Sequence, residues 1–245
     1  MLIRLCLAGI LLTSGVVRAQ EKTPLEEVTD CIKGNIPKET SIQTVEFASV
    51  DRVGYEQMRR AKIYGKKGKD GFRRILTQFS KPPDIRGSAY LMFEREGAND
   101  TFIYSREQRR WRRISGRAAA GNILGTDLSY EDFERMQNLD RPDENTRLDD
   151  SEVEGRPAYV IESKPLPDAG SIYEKVVTFY DQKTCVTLKS ESYEPGGRLR
   201  KLLSADPDQI QENDGIWVAH EMVMRDLRDE THTAILIESI EVDVP

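Results

Sequence analysis

Apolar residues near the start of the chain repeat at the spacing of a helical turn. Leu25, Val28 and Ile32 fall on one face of a helix, with polar residues between them. Thr23 and Glu26 have the spacing of a capping box, in which the side chain of each residue accepts a hydrogen bond from the backbone N–H of the other. The pattern predicts an amphipathic helix that lies against a sheet.

From residue 40 onward the hydrophobic period shortens to two. Apolar and polar residues alternate in short runs up to the C terminus, and turn residues such as Gly155 and Asp214 separate the runs. One of the predicted strands covers residues 216–225. Short strands joined by hairpin turns are typical of one antiparallel sheet, here of about ten strands. The predicted fold class is therefore α+β, mainly β.

The segment 115–145 interrupts the alternation. Residues 115–125 are rich in Gly and Ala, and Ser129 is positioned to cap a helix with Asp132 as its acidic partner. Leu128 and Phe133 would form the apolar side of that helix. We interpret the segment as an insertion that crosses one face of the sheet, with a mobile glycine-rich hinge.

The N terminus has the features of a secretion signal. Arg4 precedes an apolar run over residues 5–17, and small residues end at Ala19. The run is short for a membrane span. We expect cleavage after Ala19, a periplasmic location, and a single domain over residues 20–245.

The charge balance excludes one class of partner. The net charge is −6, and the predicted signal contains two arginines and no acid, so the mature chain is more acidic still. Nucleic-acid-binding proteins usually present a net basic surface. We therefore predict no nucleic-acid partner.

Cys31 and Cys185 are the two cysteines that remain after residue 19. An even number of cysteines in an oxidising compartment favours a disulfide. The alternative is two independent buried thiols.

Residues with catalytic potential do not form a recognisable motif. His220 and His232 have no further ligands at a metal-binding spacing, so ordinary strand histidines are the simpler interpretation. Asp127, Glu131 and Asp132 cluster where a helix begins, and the helix dipole favours carboxylates there. We predict no catalytic residue, no metal site and no cofactor.

Three stretches together resemble a known family. They are Pro-Pro-Asp-Ile-Arg-Gly at 82–87, a tryptophan in the basic hairpin 109–113, and Gly-Thr-Asp-Leu-Ser-Tyr-Glu-Asp at 125–132. They are similar to the periplasmic LolA-like carriers of the outer-membrane lipoprotein-sorting family, in the branch found beside resistance-nodulation-division type exporters. The resemblance implies a single curved sheet, an open half-barrel covered by helices on its concave side. It also implies a monomeric carrier that passes lipid or lipoprotein acyl chains from such an exporter toward the outer membrane.

The alternating strand 85–94 supplies the predicted ligand site. We predict that one face of that strand lines a cavity beneath the segment 123–133, because an apolar face must be covered. Trp111 lies at the edge of a basic patch that suits anionic head groups or an acidic partner, with a solvated hairpin as the alternative. The predicted ligand-binding residues are Ala89, Leu91, Phe93, Trp111, Leu124, Leu128 and Phe133.

Two other functions remain open at this point. An exporter-associated interaction module that carries no cargo predicts a filled core, whereas a carrier predicts an apolar cavity. A hydrolase requires polar groups that converge in a pocket, and the sequence indicates none.

Overall fold

The structure is a computed structural model that describes residues 23–244 except 115–117, 119–120 and 168. The predicted signal peptide with its cleavage site after Ala19, and part of the glycine-rich stretch, lie outside the described residues. No helix within the described residues is long and apolar enough to cross a membrane.

Two helices and fifteen strands make up the described chain. The helices are α1 (Pro24–Gly34) and α2 (Tyr130–Met136). The strands are β1 (Thr40–Val50), β2 (Glu56–Lys67), β3 (Arg73–Lys81), β4 (Ala89–Phe93), β5 (Asp100–Ser105), β6 (Arg110–Ile114), β7 (Asp143–Val153), β8 (Arg156–Pro165), β9 (Lys175–Asp181), β10 (Thr187–Glu194), β11 (Arg198–Ala205), β12 (Ile210–Asn213), β13 (Ile216–Ala219), β14 (Glu221–Asp226) and β15 (Thr231–Val242).

Thirteen strands form one antiparallel sheet in the order β6-β5-β4-β3-β2-β1-β15-β14-β11-β10-β9-β8-β7. The sheet is not closed into a barrel, because β6 and β7 are its two edges. The predicted fold class is confirmed. The main sheet has thirteen strands, more than the predicted ten.

The prediction of one strand over residues 216–225 is wrong. The chain breaks at His220, between β13 and β14, and β13 pairs with β12 in a separate two-stranded hairpin. The His220 N–H donates to the Gln209 carbonyl, and its Nδ1 lies 2.6 Å from the Ile237 carbonyl oxygen. These contacts turn the chain out of the main ladder.

Both helices lie on the same face of the sheet, which we call the inner face. The main core on this face joins Phe133 of α2 to Val45 and Phe47 of β1 and to Tyr90 of β4. Both predicted capping boxes are present, with Thr23 and Glu26 at α1 and with Ser129 and Asp132 at α2.

The predicted disulfide is confirmed. Cys31 of α1 is bonded to Cys185 in the turn before β10, with a Cα–Cα distance of 5.8 Å. That separation is typical of disulfides. The bridge spans 154 residues and fixes α1 to the inner face of the sheet.

Candidate functional site

The chain between β6 and β7 crosses the inner face and is tied to it by buried polar groups. We call residues 121–142 the anchored segment. The Asp127 N–H donates to Thr233 Oγ1 at 2.9 Å, and the Thr233 hydroxyl donates to Asp127 Oδ2 at 2.6 Å. The Thr231 hydroxyl donates to Asp127 Oδ1. Asp127 therefore fixes this segment to β15 near the centre of the sheet.

A buried ion pair provides a second attachment. Lys201 Nζ lies 2.8 Å from Asp132 Oδ2 and donates to the Asp127 carbonyl at 2.7 Å, and the Lys201 side chain is 3% exposed. Tyr173 and Ser129 also donate to the Asp132 carboxylate. Burial by itself raises the pKa of Asp132, but the Lys201 ammonium and these hydrogen bonds outweigh it and lower the pKa.

The end of α2 is held by a third cluster. Arg141 bridges Glu131 and Glu134, and Arg135 contacts Glu131 and Asp143 at 2.8 Å each. Burial opposes the charge of Arg135, but the two carboxylates raise its pKa. The motif at 125–132 thus anchors the insertion, and its acids act structurally.

A close approach explains the glycine in this motif. Gly125 has a positive φ of 79°, and a Cβ there would lie 2.6 Å from a guanidinium nitrogen of Arg59. The Arg59 side chain is buried beneath the segment. A larger residue there would be strained by the positive φ and would have to displace the Arg59 guanidinium.

Side chains fill the space beneath the anchored segment. Tyr90 stacks on Tyr130 with ring centroids 4.8 Å apart and meets Phe133 at 5.7 Å, and Met92 is fully buried. The remaining cavity there measures about 10 Å³. This volume is smaller than the site predicted from the sequence requires.

The face assigned to strand β4 needs correction. Tyr90 and Met92 point to the inner face, so Leu91 and Phe93 lie on the outer face and are half-buried. There Leu91 pairs with Leu76 and Phe102 on the neighbouring strands. Ala89, at the start of the same alternation, is buried. Both faces of β4 carry apolar side chains, so alternation did not identify the inner one.

The other predicted site residues lie in three environments. Leu128 and Phe133 are buried in the core beneath the segment. Leu124 is half-buried in a turn and packs against the same core. Trp111 stands on the edge strand β6, 45% exposed, beside Tyr104. The structure does not bring these residues together around one cavity, and a ligand role for each stays a prediction.

A larger cavity lies between the sheet and α1. Its apolar lobe has a volume of about 150 Å³ and is bounded by Ile32, Ile36 and the C-terminal end of α2 at Met136. Below them the central strands contribute branched and aliphatic side chains. These include Val45, Ile63, Leu203, Ile235, Ile237 and Ile240.

A second lobe of about 200 Å³, which we call the side lobe, adjoins the first. It lies between α1, the end of α2 and strands β8–β10, and Asn138, Thr187 and Leu203 are among the residues that line both lobes. Hydroxyl-bearing and aliphatic side chains both line the side lobe, Ser163 and Ile161 among them. Together the lobes fall near the lower end of the usual range for ligand pockets, roughly 300–1,000 Å³.

Helix α1 covers this cavity and is fixed at its C-terminal end. Beside the disulfide, Asn35 Nδ2 donates to the Trp217 carbonyl at 2.9 Å, and the Trp217 N–H donates to Asn35 Oδ1 at 2.6 Å. Val28 is the buried residue of the helix, and Leu25 and Ile32 face the cavity. Sequence reasoning identified α1 but missed its role as a cover, although its pairing with Cys185 was a usable signal.

Two further kinds of site were considered, a groove on the outer face and a metal site. A groove of about 680 Å³ on the outer face involves Met58, Val223 and Leu236. None of its lining residues belongs to a helix, whereas α1 lines both lobes of the inner face. We therefore prefer the inner face as the ligand site. Within the described residues, no group of His, Cys, Asp and Glu side chains is arranged to hold a metal ion.

Comparison with known proteins relates the chain to a family. A family model described as "uncharacterized protein" matches residues 71–245, well over half of the chain. A search of curated proteins finds no match.

Solved structures share the architecture along nearly the whole chain. A proposed outer membrane lipoprotein-sorting protein domain from Vibrio parahaemolyticus is 26% identical, with a TM-score of 0.79 over 89% of this chain and 92% of that one. A DUF1329 family protein from Desulfovibrio piger is 24% identical, with a TM-score of 0.81 over 91% and 95%. A LolA superfamily protein from Nitrosomonas europaea is 18% identical, with a TM-score of 0.69 over 92% and 96%.

Proposed function

The chain belongs to the LolA-like family, and from this premise we propose that it is a periplasmic carrier of lipid or lipoprotein acyl chains. The proposed activity is binding and release without a chemical reaction. In this proposal the chain receives its cargo from an inner-membrane exporter and passes it toward the outer membrane.

The observation that carries the proposal is the apolar lobe beneath α1. An acyl chain gains about 0.8 kcal/mol for each methylene removed from water, without any directional contact. The aliphatic side chains of β1, β11 and β15 offer such an environment next to α1, the helix that we propose moves as a cover. A carrier needs both features, because the cargo must be shielded and then released.

The unfilled apolar lobe argues against a cargo-free interaction module. Such a module gains nothing from an unfilled apolar space, because each void in a core costs packing energy. The exposed basic strand β6 with Trp111 is compatible with either function, as a surface for anionic head groups or an acidic partner. A hydrolase has less support, because the charged groups near the cavity are paired with one another.

A matched pair of substitutions tests the proposal. Ile32→Glu places a carboxylate in the cavity, whereas Leu91→Glu places the same group on the outer face, at a residue that the sequence analysis predicted to line the ligand site. An unpaired carboxylate among acyl chains costs several kcal/mol. We expect Ile32→Glu to reduce co-purified lipid, measured by native mass spectrometry, at least tenfold, and Leu91→Glu to leave it near the parent level.

Circular dichroism and thermal melting must first show that both variants are folded. If Leu91→Glu loses the lipid and Ile32→Glu retains it, the ligand lies on the face that the sequence suggested. If the parent carries no lipid from its own periplasm and binds no fluorescent fatty acid, the carrier function is wrong.

A further inference from the structure

The turn between β1 and β2, residues 51–55, which we call the tip turn, presents the two most exposed large apolar side chains of the described residues. Val53 is 81% exposed and Tyr55 62%. Trp111 of β6 stands at the same end of the sheet, because the β1–β2, β3–β4 and β5–β6 connections all leave the ladder there. Turns usually carry small or polar residues, so an apolar pair at this position indicates a surface that meets a partner.

The backbone of the tip turn is hydrogen-bonded from within. Asp51 Oδ1 accepts from the N–H groups of Val53 and Tyr55 at 2.9 Å each. The Gly54 N–H donates to the Asp51 carbonyl at 3.0 Å, and the Asp51 N–H donates to the Tyr55 carbonyl at 3.1 Å. Backbone groups that are already paired can enter a lipid interface without losing hydrogen bonds to water. The turn is therefore preorganised to insert its two apolar side chains.

The charge of the chain is divided between the two halves of the sheet. Residues 56–114, which form β2–β6, contain 16 Lys and Arg against 7 Asp and Glu, although the whole chain has a net charge of −6. Residues 143–242, which form β7–β15, contain 11 Lys and Arg against 22 Asp and Glu. An anionic surface attracts the first half and repels the second, and it therefore orients the molecule with β2–β6 toward it.

The hairpin β5–β6 contains arginines that are free to bind anions. Arg106, Arg109 and Arg110 are exposed, and none of them is paired with a carboxylate within the described part of the chain. Arg113, further along β6, is paired with Asp100 instead. Guanidinium groups match the geometry of phosphate oxygens, so the three unpaired arginines suit phospholipid head groups.

We infer that this end of the sheet docks on an anionic phospholipid membrane, with Val53 and Tyr55 in its interfacial region and the arginines of the β5–β6 hairpin on its phosphates. The inference is independent of the proposed carrier function and adds a surface to it. Tyr and Trp side chains favour the boundary between hydrocarbon and water, where Tyr55 and Trp111 would then lie.

The spacing of the apolar side chains favours a membrane over a protein partner. Four strand spacings separate the tip turn from the β5–β6 hairpin, a distance of roughly 20 Å. A protein interface normally buries a contiguous core, whereas a fluid lipid surface accepts separate anchors. The β14–β15 turn at the same end also exposes Leu227, but its Asp229 and Glu230 repel phosphates. The contact therefore extends from the tip turn toward β6.

Flotation with two kinds of vesicle tests the docking. The mature protein is mixed with vesicles of phosphatidylglycerol or of phosphatidylcholine, and the bound fraction is measured after centrifugation. We expect binding to phosphatidylglycerol at least tenfold stronger than to phosphatidylcholine, with a steep decrease as salt is added, because salt screens exposed charges.

The double variant Val53→Ser with Tyr55→Ser tests the tip turn. Both side chains are exposed, so the fold should be retained, and binding to phosphatidylglycerol vesicles should fall at least fivefold because the apolar anchors are lost. Leu148→Ser is the matched control, since Leu148 is 37% exposed on the acidic edge strand β7. It should bind as the parent does.

Arg109→Gln combined with Arg110→Gln tests the electrostatic part. Each basic residue near an anionic surface strengthens binding, so the pair should weaken binding to phosphatidylglycerol at least fivefold and leave binding to phosphatidylcholine unchanged. Arg198→Gln, at a 69% exposed position on β11, is the control and should have no effect.

Two outcomes would overturn the docking surface. The first is a parent that binds neither kind of vesicle or both equally, or a tip-turn variant that binds phosphatidylglycerol as the parent does. The second is flotation that occurs only with native inner-membrane vesicles containing protein, which would assign this end to a membrane protein. Binding of a fluorescent fatty acid, measured in parallel, tests the carrier function separately and should be the same in all these variants.

Discussion

Two covers lie on the inner face of the same sheet, and they are attached by different forces. The anchored segment is held by buried charges and hydrogen bonds, with the Asp132–Lys201 pair at its centre. Helix α1 is held at one end by a disulfide and by Asn35, and Val28 is its buried residue. The space beneath residues 123–133 of the first cover is filled, whereas the space beneath α1 and the end of α2 is not.

This difference indicates which cover opens. Moving the anchored segment would separate Asp132 and Lys201 and leave both charges buried or force both into water, at high cost. Moving the N-terminal part of α1 exposes mainly apolar side chains and leaves the covalent tether in place. We therefore propose α1 as the entry of the cavity. The glycine-rich hinge predicted from the sequence lies partly outside the described residues and stays a prediction.

Removing the tether of α1 should have the largest effect. In the chain-entropy model, a loop of this length stabilises the fold by about 5 kcal/mol. We expect Cys31→Ser combined with Cys185→Ser to lower the free energy of unfolding in urea by an amount approaching this value, and to speed the release of a fluorescent fatty acid. Unchanged release kinetics in a folded double variant would contradict the role of α1 as the opening cover.

Breaking the central ion pair of the anchored segment should cost somewhat less. Lys201→Met leaves the buried Asp132 carboxylate without its cation, although Ser129 and Tyr173 still donate to it. We expect a loss of about 3 kcal/mol in urea unfolding, the lower end of the range for a broken buried pair. Lys175→Met is the control: its pair with Glu162 is one-third exposed on the lysine side, so less than about 1 kcal/mol should be lost.

The same ion pair predicts a pH dependence. The pKa of Asp132 is lower in the folded chain than in the unfolded chain, so its contribution is complete above the unfolded value, about 3.9. That contribution is lost as the pH falls through the folded value. In Lys201→Met the cation that lowers this pKa is gone, so acid unfolding followed by circular dichroism should begin at a higher pH. Identical acid transitions in both proteins would argue against the pair.

A smaller change at α1 sharpens the comparison without touching the disulfide. Asn35→Ala removes two hydrogen bonds to the backbone of Trp217. We expect a loss of about 1–3 kcal/mol in stability. Fatty-acid release, followed by stopped-flow fluorescence, should be faster than in the parent. An increase in stability with slower release would show that Asn35 does not restrain the cover.

The smallest effect on stability is expected at an exposed edge of the sheet. Trp111 is exposed on the edge strand, so Trp111→Ala should change the free energy of unfolding by no more than about 0.5 kcal/mol. If Trp111 and the neighbouring arginines contact anionic head groups, the variant should bind vesicles of phosphatidylglycerol more weakly in a flotation assay. Equal flotation would leave β6 as a solvated edge.

Several elements of this protein could be predicted from the sequence, because they depend on residues that are close together in the chain. The two capping boxes, at Thr23 and Ser129, and the change of hydrophobic period near residue 40 depend on neighbours a few residues apart, so they could be predicted. The cysteine pair and the crossing segment also followed from composition and spacing. The curved sheet and the carrier function came from the family resemblance.

The tertiary structure alone decided which face is the inner one and where the cavity lies. Alternation shows that β4 has two faces, but both are apolar. The sequence alone therefore cannot say whether Leu91 or Tyr90 lies on the inner face, because that depends on where the covering segment packs. The cover is placed by partners distant in the sequence, such as Lys201 for Asp132 and Cys185 for Cys31. Such pairings depend on sheet order, where β1 meets β15, and no local pattern encodes that order.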